Sequence, residues 1–212
     1  MAELPMFPLG SVLFPSLVLP LHVFEERYRT LMRRVLDGDH EFGVCLIERG
    51  SEVGGGDFRS GVGTVATVQE AAELPDGRWA VVTVGTRRIR VERWLDDDPY
   101  PRAVVEDHPD PEPTAEEVEL LDDVTASVRR ALDKVARLGE SAAASTADLS
   151  DDPVLASYQL AALSPLSTID QQRLLSAPTV GLRLADLNEL LPEAHEMLNL
   201  RLRERGLGTD PD

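Results

Sequence analysis

The chain has 212 residues, 42% hydrophobic and 28% charged, with a net charge of −17 at neutral pH. That length bounds it to one large domain or two small ones and is enough to bury about 70% of the surface exposed on unfolding. Its single cysteine, Cys45, rules out an internal disulfide, no apolar run approaches the ~18 residues that span a bilayer, and the acidic balance disfavours general nucleic-acid binding, which needs cations to neutralise phosphates.

The charge is unevenly spread: residues 106–152 carry 14 acids but only 4 bases. Residues 1–24 are apolar, yet they lack a basic start and are interrupted by prolines, so no secretory leader is expected. With one cysteine and no span, the expected location is cytoplasmic.

Pro5, Pro8, Pro15 and Pro20 fix φ and remove backbone donors, which predicts short extended pieces over the first 20 residues. Leu17–Val23 is the better strand, with Pro20 pointing to an edge or a bulge. From Phe24 the period changes. Phe24, Tyr28, Leu31, Met32 and Val35 form one helical stripe, and Gly38 stops the helix. Phe42–Ile47 reads as a strand buried on both faces. Ser51–Gly61 is a glycine-rich loop. Gly61–Glu70 and Trp79–Val84 are paired strands around the turn Leu74-Pro75-Asp76-Gly77. Gly85 marks a bulge. Arg87–Trp94 alternates, placing Ile89 and Val91 on one face and Arg88, Arg90 and Glu92 on a solvated one. Asp96–Pro101 is a turn and Arg102–Asp107 a last strand.

His108–Pro113 reads as a linker. Thr114 and Glu117 form a capping box for a helix that buries Val118, Leu121, Val128, Leu132 and Val135. Gly139–Asp152 is a small, polar connection. Pro153–Leu163 and Ser167–Leu175 are short helices. Thr179–Arg205 repeats apolar residues at near-heptad spacing and ends at Gly206, with a kink or restart expected at Pro192. Strands then fill the first half and helices the second, which predicts an α+β fold: a β subdomain at 1–107 with one early helix, a linker at 108–113, a helical bundle at 114–206 and a disordered tail at 207–212.

Leu19-Pro20-Leu21 followed by Glu25, Arg27 and Tyr28, then Gly61-Val62-Gly63-Thr64, Pro75-Asp76-Gly77-Arg78, Gly85 before Arg87-Arg88, and Pro99-Tyr100 occur in an order that resembles the amino-terminal, substrate-binding domain of Lon proteases, which also occurs as a stand-alone protein. The resemblance spans roughly residues 3–205 and is distantly shared with the amino-terminal region of cereblon. It implies a PUA-like open β-barrel followed by a helical bundle, and a module that recognises peptide or unfolded-protein segments, without a cofactor, as an adaptor for a protease or chaperone. The family usually has proline after the helix glutamate, where this chain has Glu26; Pro192 is the other departure. The Lon ATPase and Ser-Lys peptidase signatures are not found. Gly54-Gly55-Gly56 lacks the Lys-Ser/Thr of a phosphate-binding loop, and Lys134, the only lysine, falls opposite the apolar stripe of its helix.

Candidate sites follow from both readings. Phe14, Leu17 and Val18 form an apolar lip for peptides, or else a loop that covers the core. Trp94 and Tyr100 lie near the junction of the two halves and would line a groove there. Pro20, Glu25, Arg27 and Tyr28 are motif positions with a structural role; Glu25 and Arg27, two apart on a helix, are not expected to face each other. Arg87, Arg88, Arg90 and Arg93 are a solvated strand face or, as the alternative function, an RNA-binding strand without interleaved aromatics. The four histidines show no metal-ligand spacing, and Cys45 in its apolar run reads as an inert buried thiol. No nucleophile–base pair is legible.

Overall fold

The computed structural model describes residues 1–49, 58–140 and 147–208. Most of the expected glycine-rich loop (51–57, with Gly54-Gly55-Gly56), the middle of the 139–152 connection and the end of the tail lie outside the described residues. The chain divides into two compact units, Met1–Pro109 and Asp110–Asp212.

The first unit contains β1 (Ala2–Leu9), β2 (Val18–Val23), α1 (Glu26–Leu36), β3 (Glu41–Arg49), β4 (Phe58–Glu73), β5 (Trp79–Trp94) and β6 (Arg102–Asp107). The strands make one mixed sheet in the order β2-β5-β4-β3-β1-β6, and β6 pairs back onto β5. The length of β5 allows this. Its first half, Trp79–Val84, pairs with β2, and its second half, from Ile89, pairs with β6. The register against β4 slips at Thr86, beside Gly85, where the sequence placed a bulge. Gly85 is required by contact as well as by shape: a Cβ there would sit 2.4 Å from the carbonyl oxygen of Phe14.

β1 is longer and more regular than its prolines suggest. Ala2–Pro5 pairs with β6, and Met6–Leu9 pairs in parallel with β3. Each half of the strand therefore has one neighbour, so a residue without an N–H forfeits little of the ladder. α1 buries Tyr28, Leu31, Met32 and Val35 as expected. Phe24 does not join them. Glu25 caps the helix in an extended conformation, so Phe24 continues the alternation of β2 and is 58% exposed. Under α1 the core gathers Phe7, Phe42, Leu21 and Val81, with Phe7 stacked on Tyr28 at 4.0 Å between centroids. A second cluster joins Met6, Cys45, Val65, Ile89 and Val105. Each such side chain, fully buried, contributes about 1.5–3 kcal/mol.

The second unit contains α2 (Ala115–Arg137), α3 (Pro153–Leu163), α4 (Thr168–Ser176) and α5 (Val180–Glu204). Thr114, Asp152, Ser167 and Thr179 cap the four helices through side-chain oxygens. α2 and α5 run in the same direction: Glu117 meets Gly181, Ser127 meets His195, and the Leu138 carbonyl meets Arg205. α2 buries Val124, Val128 and Leu132, and α5 buries Leu184, Leu187, Leu191 and Leu198. Val118, expected inside, is exposed, and the expected stripe is carried instead through Val124 and Ala131. α5 passes through Pro192 without a break. Pro192 and Asn188 both lie on the exposed side, where water can take the bond that the Asn188 carbonyl loses.

Candidate functional site

The exposed end of the sheet is where β2, β5 and β4 lie side by side. Register aligns Val18 with Val84, Pro20 with Val82 and His22 with Ala80, and aligns Val82 and Ala80 in turn with Glu70 and Ala72 of β4. Because side chains alternate along a strand, these residues share one face and Leu21, Val81 and Thr83 share the other. The second set is buried. The first is exposed or half-buried, with Val18 at 63%. The face is apolar across its centre and carries His22 and Glu70 at its margin. A shallow depression of about 290 Å³ is set into it, lined by Pro20, His22, Glu70, Ala72, Ala80 and Val82 among others. Phe24 stands exposed just beyond His22. Among the described residues β2 has a strand neighbour only in β5, so its outer edge is open.

Of the residues singled out from the sequence, Val18 and Pro20 belong to this face. Phe14 does not. It is 1% exposed, and the 13–17 segment is laid over the sheet by Thr64, whose hydroxyl donates to the Leu13 carbonyl at 2.6 Å, and by the exchange of backbone bonds between Gly85 and residues 16 and 17. Leu17 is half-buried against the core. The stretch thus follows the core-covering reading, with Val18 as its outward residue. Tyr100 is buried in the core cluster at 8%. Trp94 lies under the Arg59 guanidinium, 4.6 Å from its ring centre, and Arg59 is in turn clamped by both carboxylate oxygens of Asp97.

Glu25 and Arg27 do meet, at 3.1 Å, contrary to the expectation from helical spacing. The spacing rule assumes that both residues are helical, whereas Glu25 is the extended cap. Arg27 also covers the Tyr28 ring at 4.4 Å, so Glu25, Arg27 and Tyr28 lock the start of α1.

The four arginines of β5 are not brought together as one basic face. Arg87 bonds Glu41 and Asp107; partial burial opposes its charge, but the two carboxylates outweigh it and hold the guanidinium above its ordinary pKa. Arg88, expected in solvent, is 3% exposed and donates to the His108 carbonyl. Arg90 lies 3.2 Å from the His108 ring, and Arg93 is exposed.

The helical unit also brings together residues that the sequence did not reveal as neighbours. His195 Nε2 lies 3.2 Å from the Ser127 hydroxyl, and its Nδ1 lies 3.4 Å from Lys134 Nζ. An ammonium has no lone pair, so Nδ1 accepts and the ring proton sits on Nε2. The imidazole then donates to Ser127, the reverse of the polarity that activates a serine nucleophile. Lys134 is accordingly half-buried rather than fully solvated. Among the described residues no group of three or more His, Cys, Asp or Glu side chains converges as metal ligands, and no helix is long and apolar enough to cross a membrane.

The sheet face could have been found from one signal. Ala80-Val81-Val82-Thr83-Val84 lacks a charged residue at either parity, although only one side of that strand reaches the core.

Comparison with known proteins places these features in a family. The ATP-dependent protease La (LON) substrate-binding domain matches residues 3–193. Lon protease 2 of Herpetosiphon aurantiacus is 29% identical over 202 residues, 93% of this chain and 24% of that protein. The Lon protease of Escherichia coli (strain K12) is 27% identical over 206 residues, 96% of this chain and 26% of that protein. The chain thus spans about a quarter of the length of the curated relatives it matches. A Lon N-terminal domain protein from Xanthomonas campestris superposes with a TM-score of 0.64 at 29% identity, covering 89% of this chain and 98% of that one. The N-terminal domain of Mycobacterium avium complex Lon protease shares the fold, with a TM-score of 0.65 at 18% identity over 91% of this chain and 99% of that one.

Proposed function

Since the chain belongs to the Lon substrate-binding domain family, we propose that it recognises extended, apolar segments of unfolded polypeptides on the outer face and open edge of β2, β5 and β4. The observation that carries this reading is an apolar stripe of exposed Val18 and Pro20 and half-buried Val82 and Val84, beside a strand edge that has no strand partner among the described residues. A solvated sheet face is ordinarily polar, and a contiguous apolar one marks an interaction surface. An extended peptide aligned with β2 would gain main-chain bonds from the open edge and bury its alternate side chains in the depression at Pro20 and Ala80. Pro20 contributes no N–H, so the ladder would be interrupted there and the binding tolerant of sequence.

In this reading the ring of strands in the first unit is a PUA-like open barrel and the second unit a helical bundle. The role is gripping rather than cutting. The protein would work in the cytoplasm, as an adaptor that hands clients to a protease or chaperone. Hydrogen–deuterium exchange with a reduced, carboxymethylated polypeptide tests the site. Protection is expected at Val18–Val23 and Ala80–Val84. Protection confined to α2–α5 would refute this placement.

A further inference from the structure

Lys134 is the only lysine among the 21 lysine and arginine residues of the chain, so amine chemistry on a side chain has a single target. It stands in a groove of about 910 Å³ between α2 and α5, half-buried, with Nζ 3.4 Å from His195 Nδ1. His195 is held from its other side by Ser127, whose hydroxyl lies 3.2 Å from Nε2. That hydroxyl accepts the Nε2 proton, which leaves the Nδ1 lone pair directed at the lysine. The two contacts turn the imidazole the wrong way to activate the serine and the right way to take a proton from an amine. Arg130 of α2, one helical turn before Lys134, and Arg203 of α5 line the same groove, as do Asp133 and Glu196.

We propose that Lys134 is a site of acylation by small acyl phosphates, with His195 as the base. The neutral form of the amine attacks the acyl carbon and a C–N bond forms. The nitrogen of this adduct carries one proton too many, and Nδ1 takes it. The bond between the acyl carbon and the phosphate oxygen breaks, and phosphate leaves with the bonding electrons. The imidazolium proton then passes to the departing phosphate, which regenerates the base. The products are an amide on Lys134 and hydrogen phosphate. Arg130 and Arg203 supply positive charge for the phosphoryl end of the donor, while Asp133 and Glu196 work against a larger polyanion, which favours a compact donor. The amide N–H can still donate to Nδ1, so the modification removes the lysine charge and keeps the contact that holds His195.

Mass analysis of the intact chain and its peptides after incubation with acetyl phosphate tests the assignment, with Nα-acetyl-lysine in the same solution as the reference amine. Lys134 should be acetylated at least about tenfold faster than the free amine. His195→Asn keeps an oxygen acceptor near the Nδ1 position but takes no proton. With its fold verified by thermal melting, it should slow acetylation of Lys134 at least about fivefold. The slowing should be the same when the donor is phenyl acetate, which is uncharged, because the base serves both reactions. Arg130→Gln/Arg203→Gln should slow the reaction with acetyl phosphate and leave that with phenyl acetate unchanged. A Lys134 no more reactive than the free amine overturns the proposal, as does a His195→Asn chain that reacts at the wild-type rate. Equal effects of the double arginine variant on the two donors overturn acyl phosphate as the donor class.

Discussion

Arg183 sits on α5 with no exposed surface, yet nearly all of its donor capacity is used. Nε donates to the Leu174 carbonyl at 3.2 Å, one terminal nitrogen to Ser157 Oγ at 2.7 Å, and the other to Asp110 Oδ1 at 2.6 Å, while the plane stacks 3.8 Å over the Tyr158 ring. Tyr158 donates to the other oxygen of Asp110. Removing one partner strands a buried charge, so Arg183→Met should cost about 3–5 kcal/mol in urea unfolding. Pairing it with Asp110→Asn should cost less than the single change. If the two costs simply add, the residues are not coupled as described. Nothing in the sequence marked Arg183, because an arginine between apolar residues looks the same whether its partner is water or a carboxylate 73 positions away. The same blindness affected Arg88. A second contrast separates core from surface in one loop. Phe14→Asp should destabilise by about 3–5 kcal/mol or more, whereas Val18→Asp should stay within about 1 kcal/mol of the parent. Equal losses would mean that Val18 is not the outward residue.

Within the helices, Glu117 has two tasks. Oε2 accepts the Thr114 N–H, completing the capping box, and Oε1 accepts the Gly181 N–H at the start of α5. A Cβ at Gly181 would lie 2.4 Å from that oxygen. The Thr114 N–H foremost, against a smaller desolvation effect and aided by the Thr179 hydroxyl and the Gly181 N–H, holds the Glu117 carboxyl below its ordinary pKa. A lowered folded-state pKa means stability that is complete above the unfolded value, about 4.3, and lost as pH falls through the folded one. The melting-temperature gap between wild type and Glu117→Gln should therefore be full at neutral pH and shrink in acid; a gap independent of pH would exclude the carboxylate as its source. In the strands, Gly85→Ala should lower stability by about 1–3 kcal/mol through the Phe14 carbonyl, checked by thermal melting. The capping box and the Tyr28–Val35 stripe of α1 were legible because their partners lie within four residues, whereas the expected α2 stripe failed at Val118, which is exposed. β1 was not legible, because its tolerance of Pro5 and Pro8 depends on β3 and β6, whose approach no local pattern encodes. Phe24 was assigned to the wrong element because one extended residue, Glu25, shifts the start of α1.

Over the whole molecule, the order of strands then helices could be read directly, and so could the family, from short motifs spread along nearly the full chain. The apolar face of β2, β5 and β4 was signalled only by the uncharged run Ala80–Val84, which does not say which strands join it. Its members come from three strands, and their common exposure follows only from the register of β2 and β4 on β5. Lip residues only four positions apart in sequence, Phe14 and Val18, are instead separated into core and surface. The most direct test is the affinity of a fluorescent, reduced and carboxymethylated polypeptide for wild type and for Val18→Asp/Val82→Asp, with both proteins shown to be folded. Two charges in the centre of the stripe should weaken binding at least tenfold, about 1.4 kcal/mol. Binding unchanged by the double substitution would contradict the assignment of this face.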